Sequence, residues 1–193
     1  MMNGERIRAF VCFEIESELR EYLAQIIQEG RRLNENISWA RPETIHLTLK
    51  FLGNITPAQQ RDISGILLSL AGTFEPFQVT IDRIGAFPNF RRPRVFWAGC
   101  SSGSPDLERM ALRLDSDLEK LGFEREKRAF TAHLTLGRVK RGGAARTSSF
   151  LASFSFQPQV MQCREIILMK SDLHPTGAVY TPLETFTLKH HTD

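Results

Sequence analysis

The sequence predicts an α+β protein of two pseudo-symmetric lobes, each a mainly antiparallel sheet with helices on its outer face, and a groove between them. Three observations carry this prediction. Segments with strand periodicity alternate with segments of helical periodicity along the chain. One six-residue phrase occurs twice, as Thr-Ile-His-Leu-Thr-Leu at 44–49 and Thr-Ala-His-Leu-Thr-Leu at 131–136, with five of six positions identical. No low-complexity linker separates the halves that carry the two copies, so 1–193 reads as a single bilobal domain. With 193 residues, 41% apolar and 24% charged, the chain can bury a core without metal or disulfide staples.

Taken in order, Arg6 to Ile15 reads as a first, largely buried strand. A helix follows from about Ser17, with Leu19, Leu23, Ile26 and Ile27 on one stripe, and stops near Gly30. Trp39 to Pro42 is a short extended piece leading into the first phrase strand, about 44–52, which Gly53 and Asn54 end. Thr56-Pro57 supplies an N-cap and a first-turn proline for a helix with Ile63, Ile66, Leu67 and Leu70 inward, closed by Gly72. Residues 77–84 alternate and read as a strand, 85–93 as a loop rich in Pro, Arg and aromatics, and 94–98 as the returning strand. Ser104-Pro105 repeats the cap-plus-proline signal before a helix that runs to Gly122 with Leu107, Met110, Ala111, Leu114, Leu118 and Leu121 inward. The second phrase strand covers about 129–139, and 140–149 reads as a mobile, Gly-containing polar loop. Strands at 159–169 and 178–188, joined by Ser171 to Gly177, finish the chain, and such terminal strands are free to cross between lobes.

The charge pattern points to a phosphate-bearing partner. The net charge is only +3, but residues 83–98 hold Arg83, Arg91, Arg92 and Arg94 with no acid, and 125–146 hold seven Lys or Arg against one Glu. No apolar run approaches a membrane span and the N-terminus lacks a basic-then-apolar leader pattern, so the cytoplasm is the expected compartment. The three cysteines are odd in number and far apart, which gives no disulfide framework and no metal knuckle, and Cys12 lies in an apolar run that suits core packing.

On an extended strand, the phrase sets His and Thr on one face and both leucines on the other. Packing explains the leucines, but it gives no reason to repeat His and Thr on the opposite face. Two such strands face to face would bring His46, Thr48, His133 and Thr135 to one point. One neutral imidazole could then take a proton while the other, charged, donates one. The Thr hydroxyls could donate to non-bridging phosphate oxygens. Arg138, five residues past His133, adds a cation with fork geometry, but on a strict pleat it would point to the other face and needs a twist, bulge or strand end to reach the site.

Other chemistries fit these residues poorly. Two histidines on separate strands with no carboxylate or cysteine cluster make a weak metal site, and neither a nucleophile elbow nor a phosphate-loop fingerprint is present. His174 reads as a surface loop residue, and His190 and His191 as part of a disordered tail.

The double His-x-Thr pattern resembles the 2H phosphoesterase superfamily. More closely, the chain is similar to the RNA 2′,3′-cyclic phosphodiesterase (2′-5′ RNA ligase) family over nearly its whole length. The resemblance rests on Arg8-Ala-Phe10, Trp39 and Pro42, on His46-Leu-Thr-Leu-Lys-Phe-Leu-Gly53, and on Gly85-Ala-Phe-Pro88. It extends to Arg92-Pro-Arg-Val-Phe-Trp-Ala-Gly99, His133-Leu-Thr-Leu-Gly-Arg138 and Tyr180. The family often carries Pro before its second His, where Ala132 stands here.

The resemblance implies an enzyme that needs neither metal nor other cofactor and hydrolyses an RNA terminal 2′,3′-cyclic phosphate to a 2′-phosphomonoester. Run with a 5′-hydroxyl in place of water, the same geometry would join ends through a 2′-5′ linkage. By that analogy His46 is the proton donor, His133 the proton acceptor, and Thr48 and Thr135 hold the phosphate. The residues alone leave open which imidazole is acid and which is base. Arg138, Arg92 and Phe90 are the substrate-binding candidates. Of the other aromatics near the motifs or the basic loop, Phe87 is also placed to stack on a base, whereas Phe51 and Phe130 read as core. The expected partner is RNA with a 2′,3′-cyclic phosphate end, tRNA fragments among them, acted on by a monomer with no membrane contact. A non-catalytic RNA- or nucleotide-binding module, and a phosphodiesterase for a small cyclic nucleotide, are the rival readings.

Overall fold

The computed structural model describes residues 6–101, 103–140, 142–175 and 177–189. In chain order the elements are β1 (Ile7–Glu14), α1 (Ser17–Arg32), β2 (Ile37–Trp39), β3 (His46–Ile55), α2 (Pro57–Ala71), β4 (Phe77–Ile81) and β5 (Arg83–Phe87). They continue with β6 (Val95–Gly99), α3 (Pro105–Glu119), β7 (His133–Val139), α4 (Ala145–Ala152), β8 (Gln159–Cys163), β9 (Glu165–His174) and β10 (Gly177–Thr187). The α+β class with antiparallel sheets is as predicted. The main sheet runs β10-β9-β1-β3-β7-β6-β5, with β2 also paired to β7, and β4 and β8 form a separate two-stranded ribbon. Of the terminal strands, β9 has crossed to pair with β1, and β10 pairs with β9 at the sheet edge.

The two halves of the main sheet meet at a narrow seam. β3 and β7 share one antiparallel pair, Leu47 with Leu134, whereas β1 pairs with β3 over nearly its whole length. Helices cover one face: α2 against β9 and β10, α3 against β3, α1 against β2 and β7, and α4 against β5. The period-2 alternation of β1 shows how the faces divide. Ala9, Val11 and Phe13 join the main core beneath the helices. Phe10 and Cys12 join a second, smaller cluster on the other face with Ile167, Met169 and Tyr180. Helix starts follow local chemistry. Thr56 and Gln59 form a reciprocal capping box on α2, and the Ser104 hydroxyl accepts from Leu107 N–H at α3.

Several boundaries differ from the sequence reading, each for a non-local reason. The strand expected over 77–84 breaks at Asp82, whose carboxylate accepts from Ser101 N–H and Ser101 Oγ at 2.7 and 2.5 Å, so the chain changes sheets there. The expected loop at 85–93 opens with the rest of β5, which pairs with β6 as far as Phe87. Residues 140–149 are not one loop, because α4 begins at Ala145. Glu35, far away in sequence, accepts from Arg146 N–H and Thr147 N–H at its first turn, and Thr147, Ser148 and Leu151 are buried. The strand expected over 159–169 is two, since β8 pairs with β4 and β9 with β1 and β10. Strand β3 continues through Gly53, at φ +69°, to Ile55, and β7 starts only at His133. His174 is exposed at the end of β9 rather than in a loop, and His190 and His191 lie outside the described residues.

One buried ion pair ties the halves behind the seam. Lys50, 4% exposed, donates to Asp115 Oδ1 at 2.6 Å and to Glu124 O at 2.7 Å, and Asp115 also accepts from Glu126 N–H. This links β3, α3 and the segment that leads into β7. Removing one partner of a buried pair leaves the other charge uncompensated. Lys50→Met is therefore expected to lower unfolding stability by about 3 kcal/mol. Urea denaturation checks this, and a change within ~0.5 kcal/mol, as for an ordinary surface substitution, would show that the pair carries no such weight.

Candidate active site

The seam sets the geometry of the repeated phrase. Pairing Leu47 with Leu134 in antiparallel register places His46 across from Thr135 and Thr48 across from His133. The leucines of both copies, Leu47, Leu49, Leu134 and Leu136, are buried on the helix side. His46, Thr48, His133 and Thr135 all line one cavity of about 650 Å³ on the opposite face.

Each copy then carries a β-bulge at its sixth and last position. Cys12 pairs with Thr48 and Val11 with Lys50, so Leu49 is unopposed, and Trp97 pairs with Thr135 and Phe96 with Gly137, so Leu136 is unopposed. An extra residue inverts the facing of everything after it. Arg138, which a strict pleat would turn away, thereby returns to the face of His133 and Thr135 and lines the same cavity. The equivalent bulge in the first copy turns Lys50 inward and leaves Phe51 57% exposed on the rim of the cavity. Phe51 was expected in the core, and the bulge is the reason it is not. Phe51 and Arg138 are symmetry mates, each five residues after its histidine.

The two imidazoles are held alike. His46 Nδ1 lies 2.8 Å from Thr44 O, and His133 Nδ1 lies 2.8 Å from Thr131 O. A carbonyl only accepts, so Nδ1 carries the proton in each ring and Nε2 is left to exchange one. Aromatic neighbours fix the ring planes. Phe10 stacks on His46 with centroids 4.6 Å apart, and Tyr180 meets it edge-on at 5.1 Å. Phe87 meets His133 edge-on at 5.2 Å, with Trp97 behind at 6.5 Å. Gly85 makes room for that indole, because a Cβ there would fall 2.1 Å from the Trp97 ring.

Burial among these rings lowers both imidazole pKa values, partly opposed by the bond to the backbone carbonyl. The charge of His133 lowers His46 further, and that of Arg138 lowers His133 further. Arg8, Arg41 and Arg138 line the cavity, and among the described residues that line it there is no Asp or Glu. The Arg41 guanidinium donates to Ala178 O, pinning the tip of the β9–β10 hairpin beside the site. Among the described residues no three His, Cys, Asp or Glu side chains gather as a metal-ligand group.

The remaining candidates divide. Arg92 lines a second, larger cavity that shares Thr48, Phe51 and His133 with the first, and Phe130 lines it too rather than lying wholly in the core. Phe90 instead packs on buried Phe96, centroids 6.2 Å apart, and borders neither cavity. Sequence reasoning missed the aromatic clamps. Phe10, Trp97 and Tyr180 entered only through the resemblance, and nothing local marks a strand residue as the neighbour of an imidazole on another strand.

A family model described as "LigT like Phosphoesterase" matches residues 13–97 and 99–180. This chain is a LigT-like phosphoesterase. It is 33% identical over 190 residues to the RNA 2′,3′-cyclic phosphodiesterase of Methanothermobacter thermautotrophicus, covering 95% of this chain and 100% of that one. It is 34% identical over 181 residues to the protein of the same name from Archaeoglobus fulgidus, covering 93% and 99%. Among solved structures, TT0787 of Thermus thermophilus superposes with a TM-score of 0.79 at 26% identity, covering 94% of this chain and 98% of that one. Escherichia coli LigT complexed with 3′-AMP gives 0.74 at 26% identity, covering 96% and 100%. No helix of the described residues of this phosphoesterase is long and apolar enough to cross a membrane.

The electrostatic interaction between the rings has a direct consequence. In His133→Gln, which removes a charge that holds His46 down, the titration midpoint of His46 is expected to move up, as followed by its ring proton resonances. A midpoint that stays put would mean the two imidazoles do not sense one another.

Proposed function

We propose that this phosphoesterase hydrolyses RNA ends bearing a 2′,3′-cyclic phosphate to 2′-phosphomonoesters, with two histidines exchanging protons and no metal. One observation carries the reading: two imidazoles, each with Nδ1 tied to a carbonyl, share a cavity, free of acids among the described residues that line it, with the Thr48 and Thr135 hydroxyls and three guanidinium groups. The names of the archaeal relatives and the nucleotide in the E. coli LigT structure support RNA as the substrate class.

In this reading, His133 Nε2 takes a proton from water as the water oxygen bonds to phosphorus. His46, protonated at Nε2, gives its proton to O3′ as the P–O3′ bond breaks. The 2′-phosphate and a free 3′-hydroxyl remain. Burial and a neighbouring charge favour the neutral form of both rings, so the choice of His133 as base and His46 as acid follows the family resemblance. Thr48 and Thr135 donate to the non-bridging oxygens, and Arg138 meets the charge that develops on them. Phe51 offers an exposed ring face to the terminal base. A 5′-hydroxyl in place of water would give a 2′-5′ linkage by the same proton transfers.

The test is incubation with an oligoribonucleotide ending in a 2′,3′-cyclic phosphate, with 2′-phosphate, 3′-phosphate and joined products resolved. The 2′-phosphate is expected, in the presence of EDTA. His46→Ala and His133→Ala should each lose about 10²–10⁴ in rate. Activity that appears only after a divalent metal is added would contradict the reading, as would salt-dependent binding without turnover. The pH profile of kcat/KM should be bell-shaped, because one imidazole must be neutral and the other charged. Both pKa values are lowered, so the acid limb and the maximum should lie on the acid side of an ordinary imidazole titration. An alkaline maximum would point to a different base.

A further inference from the structure

We propose that the larger cavity beside the histidines is a subsite for the RNA chain that leads to the cyclic phosphate, with Arg94 and Arg128, alongside Arg92, holding its backbone phosphates. The inference rests on the phosphodiesterase reading and extends it to the length of the substrate. The cavity has a volume of about 940 Å³, near the top of the ~300–1,000 Å³ that single small ligands fill. It is continuous with the reaction site, since Thr48, Phe51 and His133 line both. A nucleoside stacked on Phe51 with its phosphate between the histidines has this cavity open to the rest of its chain.

Its charge suits that occupant. Five cations line it against two acids, Asp115 and Glu126. Both acids are already engaged: Lys50 lies 2.6 Å from Asp115 and 3.4 Å from Glu126, and Arg125 lies 3.4 Å from Asp115. Arg92, Arg94 and Arg128 are exposed, and among the described residues none of them is in an ion pair. The loop that carries Arg92 and Arg94 is pre-set rather than adaptable. Asn89 Oδ1 accepts from Arg91 N–H and Arg92 N–H at 3.0 and 3.1 Å, and Phe87 O accepts from Arg94 N–H at 2.7 Å. Phe87, Pro88 and Phe130 line the same cavity as the guanidinium groups. Cations that track a backbone, interleaved with flat apolar surfaces that accept bases, form a single-strand nucleic-acid site.

The test compares a mononucleoside 2′,3′-cyclic phosphate with a six-nucleotide RNA carrying the same end, on wild type and on R94Q/R128Q. Wild type should favour the oligonucleotide in kcat/KM by roughly tenfold or more at low salt. The variant should lose most of that preference, and the salt slope for the oligonucleotide should fall by about 1.4, at ~0.7 for each phosphate that is no longer neutralised. Equal losses on both substrates, or no loss on either, would overturn the proposal. Binding of the same RNA ending in a 2′-phosphate, followed by fluorescence anisotropy, needs no turnover. Weaker, less salt-dependent binding by the variant supports the subsite even if the phosphodiesterase reading fails, and unchanged binding overturns it.

Discussion

The pairing of Leu47 with Leu134 is the constraint on which the rest of the structure depends. Both side chains are fully buried, so neither strand can slip by one residue without turning its leucines toward water and its histidine into the core. The single bridge holds the two halves of the sheet in one register and also leaves them free to diverge on either side of it. The cavity with His46 and Arg138 opens in that divergence, and so does the larger one with Arg92 and Phe130. Burial of apolar surface on one face thus sets the position of polar groups on the other.

The bulges at Leu49 and Leu136 add a second layer to the same device. A regular strand offers alternate residues to one face, which here would have been His, Thr and the residue two further on. The extra residue admits the one after that instead. In one copy it is a phenyl ring and in the other a guanidinium, so a symmetric frame carries an asymmetric pair of side chains. Lys50, turned inward by the first bulge, anchors the segment between α3 and β7 through Asp115 and Glu124. The frame around one histidine is thereby tied to the backbone that leads to the other.

Much of this was legible in the chain because its signals are local and repeated. The phrase itself, the alternation of Leu with His and Thr, and the capped helices at Thr56 and Ser104 all follow from short-range stereochemistry. What could not be read depends on partners distant in sequence. The start of α4 is capped by Glu35, the break at Asp82 is held by Ser101, and the clamps on His46 come from Phe10 and Tyr180 at opposite ends of the chain. The need for a bulge at Arg138 could be stated from parity alone, whereas its twin at Leu49 could not, because nothing in the sequence marked Phe51 as a residue that should face the groove. Phe90 shows the opposite error: a ring inside a basic loop looks available, yet it fills a gap over Phe96.

The convergence of the two imidazoles on one phosphorus is tested most directly by following their ring resonances during titration with a nucleoside 2′-monophosphate. His46 and His133 should shift together along one binding curve, and both should titrate at higher pH once the dianion is bound. A curve on which one imidazole responds and the other does not would contradict the shared site.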